Sequence, residues 1–187
     1  MMPAAHAGPL IAIVGPTAVG KTALALRLAA DLPVEVVSAD SRQVYRRMDV
    51  GTAKPTVVEQ QRVKHHLLDM VDPDEAFTLA QYQELAYAAI DGVQHRGRIP
   101  LLVGGTGLYV KAVLNGFGIP RVAPDERLRE ELYAEAEAKG SEALHSRLRE
   151  LDPVAAERID ARNVRRVVRA LEVCHLMGKP ISSLQES

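Results

Sequence analysis

Gly15-Pro16-Thr17-Ala18-Val19-Gly20-Lys21-Thr22 is the stretch on which the fold turns. It matches G-x-x-x-x-G-K-[ST], follows the apolar run Leu10-Ile11-Ala12-Ile13-Val14 and precedes a helical pattern. Strand, glycine loop and helix in that order make a phosphate cradle. The glycines let the backbone curl so that successive N–H groups face phosphate oxygens, and the helix beginning near Lys21 adds the positive end of its dipole. Lys21 is placed to neutralise the outer phosphate, and the Thr22 hydroxyl to ligate Mg²⁺. The bland alternative is a tight strand–helix turn that binds nothing. The loop specifies a di- or triphosphate, not a reaction: kinases, NTPases and transferases that expel pyrophosphate all use it.

Outward from the loop, short β-branched runs alternate with helical patterns. Residues 10–14, 34–38 and 101–105 read as strands, the first of them buried, and 66–71 is a further candidate. Helices are expected over 21–32, 56–64 and 78–96. The last opens with Thr78 and Gln81 at capping-box spacing and closes at Gly97. Such alternation predicts an α/β fold, a P-loop NTPase-like parallel sheet flanked by helices.

Past Gly116, Gly118 and Pro120 the pattern changes, and 125–139, 141–151 and 163–177 all read as helices. The predicted organisation is an α/β catalytic core over 1–118, a small all-helical insert over 119–178, and a return towards the core over 179–187. A new segment, 181–186, has barely begun at Ser187, and the end there reads as a truncation.

Composition narrows the class. The 187 residues are 47% hydrophobic and 25% charged, as in a globular protein able to bury a core. With no Trp and two Phe, that core must be mainly aliphatic. The single cysteine, Cys174, cannot form an internal disulfide and fits a reducing cytoplasm. No apolar run is long enough to span a bilayer, and residues 1–8 lack the charge pattern of a secretory signal. The net charge of −1 means that nucleic-acid binding must rest on a local basic patch.

Asp40 leaves the second strand at its C-terminal end, the edge where ligands collect in doubly wound sheets. A carboxylate there could act as a general base or bind Mg²⁺ through water, or it could simply close a turn. His65-His66 suggests a metal pair, but adjacent residues alternate faces on a strand and no further ligand lies nearby at a suitable spacing, so a structural role is expected. Asp69 is a second acid that could approach a metal. Between Arg158 and Arg169 there are five arginines and one acid, Asp160. Arg162, Arg165, Arg166 and Arg169 share one helical face, while Val164, Val167, Val168 and Leu171 fall about 200° around it. That stripe is either a solvated surface or a phosphate grip.

The motifs occur together and in order: Gly15 to Thr22, Ser38-Ala39-Asp40-Ser41-Arg42-Gln43-Val44-Tyr45, Gly51-Thr52-Ala53-Lys54-Pro55, His65-His66-Leu67-Leu68-Asp69 and Val103-Gly104-Gly105-Thr106-Gly107-Leu108-Tyr109. In this the chain closely resembles the bacterial tRNA dimethylallyltransferase (tRNA isopentenyltransferase) family, from about residue 9 to the end. The resemblance implies transfer of a dimethylallyl group from dimethylallyl diphosphate to the exocyclic N6 amine of the adenosine beside the anticodon in tRNA. It implies Asp40 as the base, with Lys21 and Thr22 on the diphosphate, beside the Mg²⁺ that the loop chemistry already puts on Thr22. It further implies tRNA contacts from Asp40, Ser41, Arg42, Gln43, Thr106, residues Arg165, Arg166, Val167, Val168 and Arg169, and an arginine that best matches Arg129, with Arg127 close by. A cytoplasmic monomer is expected, with the anticodon stem-loop as partner and a loop of the ATP-binding type.

Family members are longer and add a further strand and helices after the helical insert, so the resemblance implies a sheet with one uncovered edge and a pocket lacking a wall. Two other readings remain. A P-loop small-molecule kinase would use the loop and Asp40 equally well, and a remnant that holds tRNA without chemistry would keep the basic helix.

Overall fold

The computed structural model describes residues 8–116 and 118–184. The N-terminal stretch judged not to be a signal, apart from Gly8, and the last three residues of the expected return segment lie outside these. The chain divides after Gly116 into two compact units, two residues before the expected boundary.

In the first unit four parallel strands, β1 (Ile11–Val14), β2 (Val34–Ser38), β3 (His65–His66) and β4 (Ile99–Gly104), lie in the order β1-β4-β2-β3. Because side chains alternate along a strand, the two central strands feed two cores. Val34, Val36, Leu101 and Val103 pack with Ala25 of α1 (Lys21–Asp31). Val37 and Leu102 point the other way, onto Tyr82, Ala86 and Ile90 of α3 (Leu79–His95) and Tyr109 and Val113 of α4 (Gly107–Asn115). The two central strands are thus covered on both faces. The short α2 (Val57–Arg62) and α3 each start with a complete capping box, Thr56 with Glu59 and Thr78 with Gln81.

Two expectations are corrected. The first strand was expected to be buried, yet Ile11, Ala12 and Val14 are exposed: β1 lies at the sheet edge, with β4 as its only neighbouring strand among the described residues. The strand expected over 66–71 ends after His66. Leu67 and Asp69 adopt left-handed backbone (φ 64° and 54°), which breaks an extended ladder. Residues 69–71 turn away to bond Gln43 and Val44 instead, with Asp69 N donating to Gln43 O and Met70 N to Val44 O.

The second unit contains only helices among its described residues: α5 (Glu126–Lys139), α6 (Ser141–Leu151), α7 (Pro153–Arg158) and α8 (Val164–Met177), then a 3₁₀ turn at Ser182–Leu184. Its core joins Leu132, Leu144, Leu148, Val167, Val168 and Leu171. The unexpected α7 carries a legible start, an Asp152 cap followed by Pro153 at the first turn. Buried Asp152 also accepts from Ser182 N (2.9 Å) and Ser182 Oγ (2.7 Å), which ties the final turn to the α6–α7 junction.

Candidate functional site

The phosphate loop joins β1 to α1, and its curl uses left-handed backbone at Ala18 (φ 66°) and Gly20 (φ 89°). Lys21 Nζ donates to the carbonyls of Gly15 (2.9 Å) and Pro16 (2.7 Å), which holds the ammonium against the loop. A Cβ on Gly105 would sit 3.0 Å from Gly15 O and 3.8 Å from Lys21 Nζ, so the end of β4 runs beside the loop. At Gly104 a Cβ would fall on the Ala39 carbonyl. Only glycine fits there, and β4 therefore approaches the end of β2 closely.

That close approach sets Asp40. The Oδ1 of Asp40 accepts from Arg42 N at 2.9 Å, the turn-closing bond of the bland reading. The residue also lines a cavity of about 420 Å³ together with Thr17, Ala18, Gly20, Lys21 and Thr22. Asp40 is therefore both a turn residue and a cavity wall. Its charge reaches Tyr109, whose hydroxyl is pushed up to about 12 by burial first and by Tyr45 and Asp40 after it.

The neighbours of Asp40 are largely committed to holding the turn. Thr106 Oγ1 accepts from Ser41 N (2.9 Å) and donates to Ser41 Oγ (3.2 Å). Gln43 accepts from Ser38 Oγ (3.1 Å) and donates to the carbonyls of Thr52 (3.2 Å) and Ala53 (3.0 Å), so its amide clamps the 52–53 loop to β2. Arg42 is exposed.

Sequence reasoning gave no role to Lys54, Glu59 or Ser38, all of which line the same cavity. The Lys54 side chain is 4% exposed and donates to Asp49 Oδ1 (2.6 Å), Asp69 Oδ1 (2.7 Å) and Tyr45 O (2.9 Å). Burial alone would lower its pKa, but the two carboxylates outweigh burial and raise it. Asp69 is thereby an ion-pair partner of Lys54 and does not line the cavity. The lysine within Gly51-Thr52-Ala53-Lys54-Pro55 was the available signal. His65 lines the cavity and is held below the usual imidazole value, chiefly by burial. His66 Nε2 lies 2.7 Å from Glu35 Oε2. The two histidines thus part company, and among the described residues no group of three or more His, Cys, Asp or Glu side chains could hold a metal.

In the helical unit the arginine stripe is divided. Arg162 pairs with its neighbour Asp160 (2.7 Å). Arg129 Nε (2.8 Å) and Nη2 (3.1 Å) and Arg169 Nη1 (2.6 Å) all donate to Glu172, which is completely buried. Arg127 pairs with Glu131 on the surface. Arg165 and Arg166 are exposed, and among the described residues their guanidinium groups have no partner. Val167 and Val168, expected among the tRNA contacts, are 0% and 1% exposed: they belong to the hydrophobic stripe of α8, so their side chains are withdrawn from any partner. No described helix is long and apolar enough to cross a membrane.

A family model described as IPP transferase matches residues 43–187. A tRNA dimethylallyltransferase of Roseiflexus sp. is 61% identical over 174 residues, covering 93% of this chain and 57% of that protein. The crystal structure of a full-length tRNA isopentenylpyrophosphate transferase from Bacillus halodurans superposes with a TM-score of 0.58 at 52% identity, over 91% of this chain and 56% of that one. A eukaryotic dimethylallyltransferase acting on tRNA reaches a TM-score of 0.74 at 29% identity, over 93% and 43%. The chain spans a little over half the length of the curated relatives it matches.

Proposed function

Because the chain belongs to the IPP transferase family, we propose that it carries the diphosphate and base sites for moving a dimethylallyl group from dimethylallyl diphosphate to the N6 amine of the adenosine beside the anticodon in tRNA, as a cytoplasmic monomer. The observation that carries the proposal is the cavity in which the Asp40 carboxylate shares a wall with Lys21 and Thr22. An anion cradle and a proton acceptor in one hollow suit displacement of a diphosphate by a neutral amine. The relatives named for prenyl transfer to tRNA favour this reading over a small-molecule kinase.

The chemistry follows from the residue types. The C1–O bond of the allylic diphosphate breaks, and its electron pair leaves with pyrophosphate. The loop N–H groups and the Lys21 ammonium stabilise that charge as it develops. The N6 lone pair forms the new N–C1 bond, and the proton then shed by nitrogen passes to Asp40. The target base must leave its stack to reach such a site. Oxygen donors suit Mg²⁺, and the Thr22 hydroxyl in the cavity wall would hold it. When bound there, the ion would neutralise the leaving group. The proposed tRNA contacts are the turn from Asp40 to Gln43 with Thr106, and Arg129, Arg165, Arg166 and Arg169 of the helical unit.

The test is single-turnover transfer from labelled dimethylallyl diphosphate to an anticodon stem-loop RNA. Prenylated RNA supports the proposal. Transfer of the γ-phosphate of ATP to a small metabolite without prenylation would overturn it in favour of the kinase, and RNA binding without product would leave only the tRNA-holding remnant.

A further inference from the structure

Glu172 is the one acid in an otherwise apolar run, Ala170-Leu171-Glu172-Val173-Cys174, and its side chain is wholly buried. A buried carboxylate is costly unless fully partnered. This one accepts two bonds from Arg129, one from Arg169 and one from the Asp125 backbone N–H (2.8 Å). Burial alone would raise its pKa, but those donors pull it below the ordinary carboxylate value. It is therefore anionic and saturated.

The two arginines are not saturated. A guanidinium has five N–H donors in a fixed plane. Arg129 gives two to Glu172 and a long one (3.5 Å) to Glu126, and Arg169 gives one to Glu172 and one to Val122 O (3.2 Å). Both side chains remain partly exposed. Two cations share one buried anion, and only the exposed Glu126 at the far side of Arg129 offsets them further, so donors stay uncommitted on both planes. Unlike Arg165 and Arg166, whose side chains have no partner among the described residues, this pair is fixed before any ligand arrives. A fixed fork loses little side-chain entropy on meeting an anion.

We propose that Glu172 is a positioning residue that holds Arg129 and Arg169 as a preformed fork for RNA phosphate. The inference rests on the RNA-binding half of the proposed function. It makes the buried acid a contributor to polyanion binding, although its charge alone opposes that binding.

The sign of the effect provides the test. Glu172→Gln removes a negative charge beneath an RNA-binding surface, and electrostatics alone would tighten binding. If positioning governs, affinity for an anticodon stem-loop falls roughly tenfold at fixed salt, the scale of a lost charge-assisted bond or two. Arg129→Lys guards against a folding defect, because it keeps the charge and loses the two-pronged bond. It should weaken RNA binding several-fold with its salt slope unchanged. Circular dichroism confirms that each variant is folded before binding is measured. Equal or tighter binding by folded Glu172→Gln, or wild-type binding by Arg129→Lys, would overturn the inference while leaving the function intact. If the parent chain binds no stem-loop RNA, the function and the inference fall together.

Discussion

Thr106 Oγ1 lies 2.9 Å from the backbone nitrogen of Ser41, accepting its hydrogen 65 residues away in sequence. With Thr106 N donating to Ala39 O at 3.1 Å, the end of β4 and the turn that carries Asp40 are held as one piece. Thr106, proposed to touch tRNA, also engages its hydroxyl within the protein. Thr106→Val keeps the shape and leaves the Ser41 N–H without its partner. Thermal or denaturant unfolding should show a loss of about 1–2 kcal/mol, and Thr106→Ser should restore most of it. Unchanged stability in the valine variant would return Thr106 to a purely ligand-facing role.

Asp40 closes its turn through one oxygen, bonded to Arg42 N. Asparagine can keep that bond through its own oxygen but cannot accept a proton. Asp40→Asn should therefore leave stem-loop affinity within a few-fold while lowering the prenylation rate by roughly 10²-fold or more. A rate within a few-fold of wild type would reduce Asp40 to the turn it closes.

Among the described residues Lys21 Nζ bonds only loop carbonyls, Gly15 and Pro16. Lys21→Ala should abolish use of the prenyl diphosphate and leave RNA binding intact, if the leaving group is the ligand that meets this ammonium, as proposed. Parallel loss of both activities would mean that the lysine chiefly holds the loop in shape.

Glu35 provides a pH test away from the site. Its carboxylate lies 2.7 Å from both Arg96 Nη2 and His66 Nε2. Burial works to raise its pKa, but these partners prevail and hold it at about 2, below the ordinary 4.5. A depressed folded pKa gives stability that is fully present above about pH 4.5 and lost as pH falls through 2. The Tm difference between the parent and Glu35→Gln should therefore be largest near neutrality and shrink between pH 4.5 and 2. A gap that stays constant into acid would show that packing, not charge, distinguishes the two.

What was legible in the sequence was local. The loop spacing, the Thr78–Gln81 capping box and the α8 stripe of Val164, Val167, Val168 and Leu171 depend on residues within two turns of one another. The exposure of β1 depends on sheet order, which no short window contains. Asp69, which pairs with Lys54, and Glu172, which pairs with Arg129, lie 15 and 43 residues away, beyond any local window. Glu172 was the readable exception: a lone acid in an apolar helical run is seldom buried without a partner. Counting arginines on one face concealed it, because Glu172 lies three residues after Arg169 on the neighbouring face.

The division of the α8 arginines separates their expected effects. Arg165 and Arg166 are exposed, and among the described residues their guanidinium groups have no partner, so each would meet a polyanion as a solvated charge. Replacing either with Ala should shallow the dependence of log K on log salt by a little under one unit. The loss should be similar for cognate and non-cognate tRNAs, since phosphate contacts position the RNA without reading its bases. Val167→Ala, on the buried face, should leave that slope alone and cost stability on the order of 2 kcal/mol through lost packing. Arg162 forms its pair with Asp160, so its replacement should change the slope less than either free arginine. Equal slopes for Arg165→Ala, Arg166→Ala and the parent would assign the exposed stripe to a solvated surface. The proposed RNA contacts of this unit would then be reduced to Arg129 and Arg169.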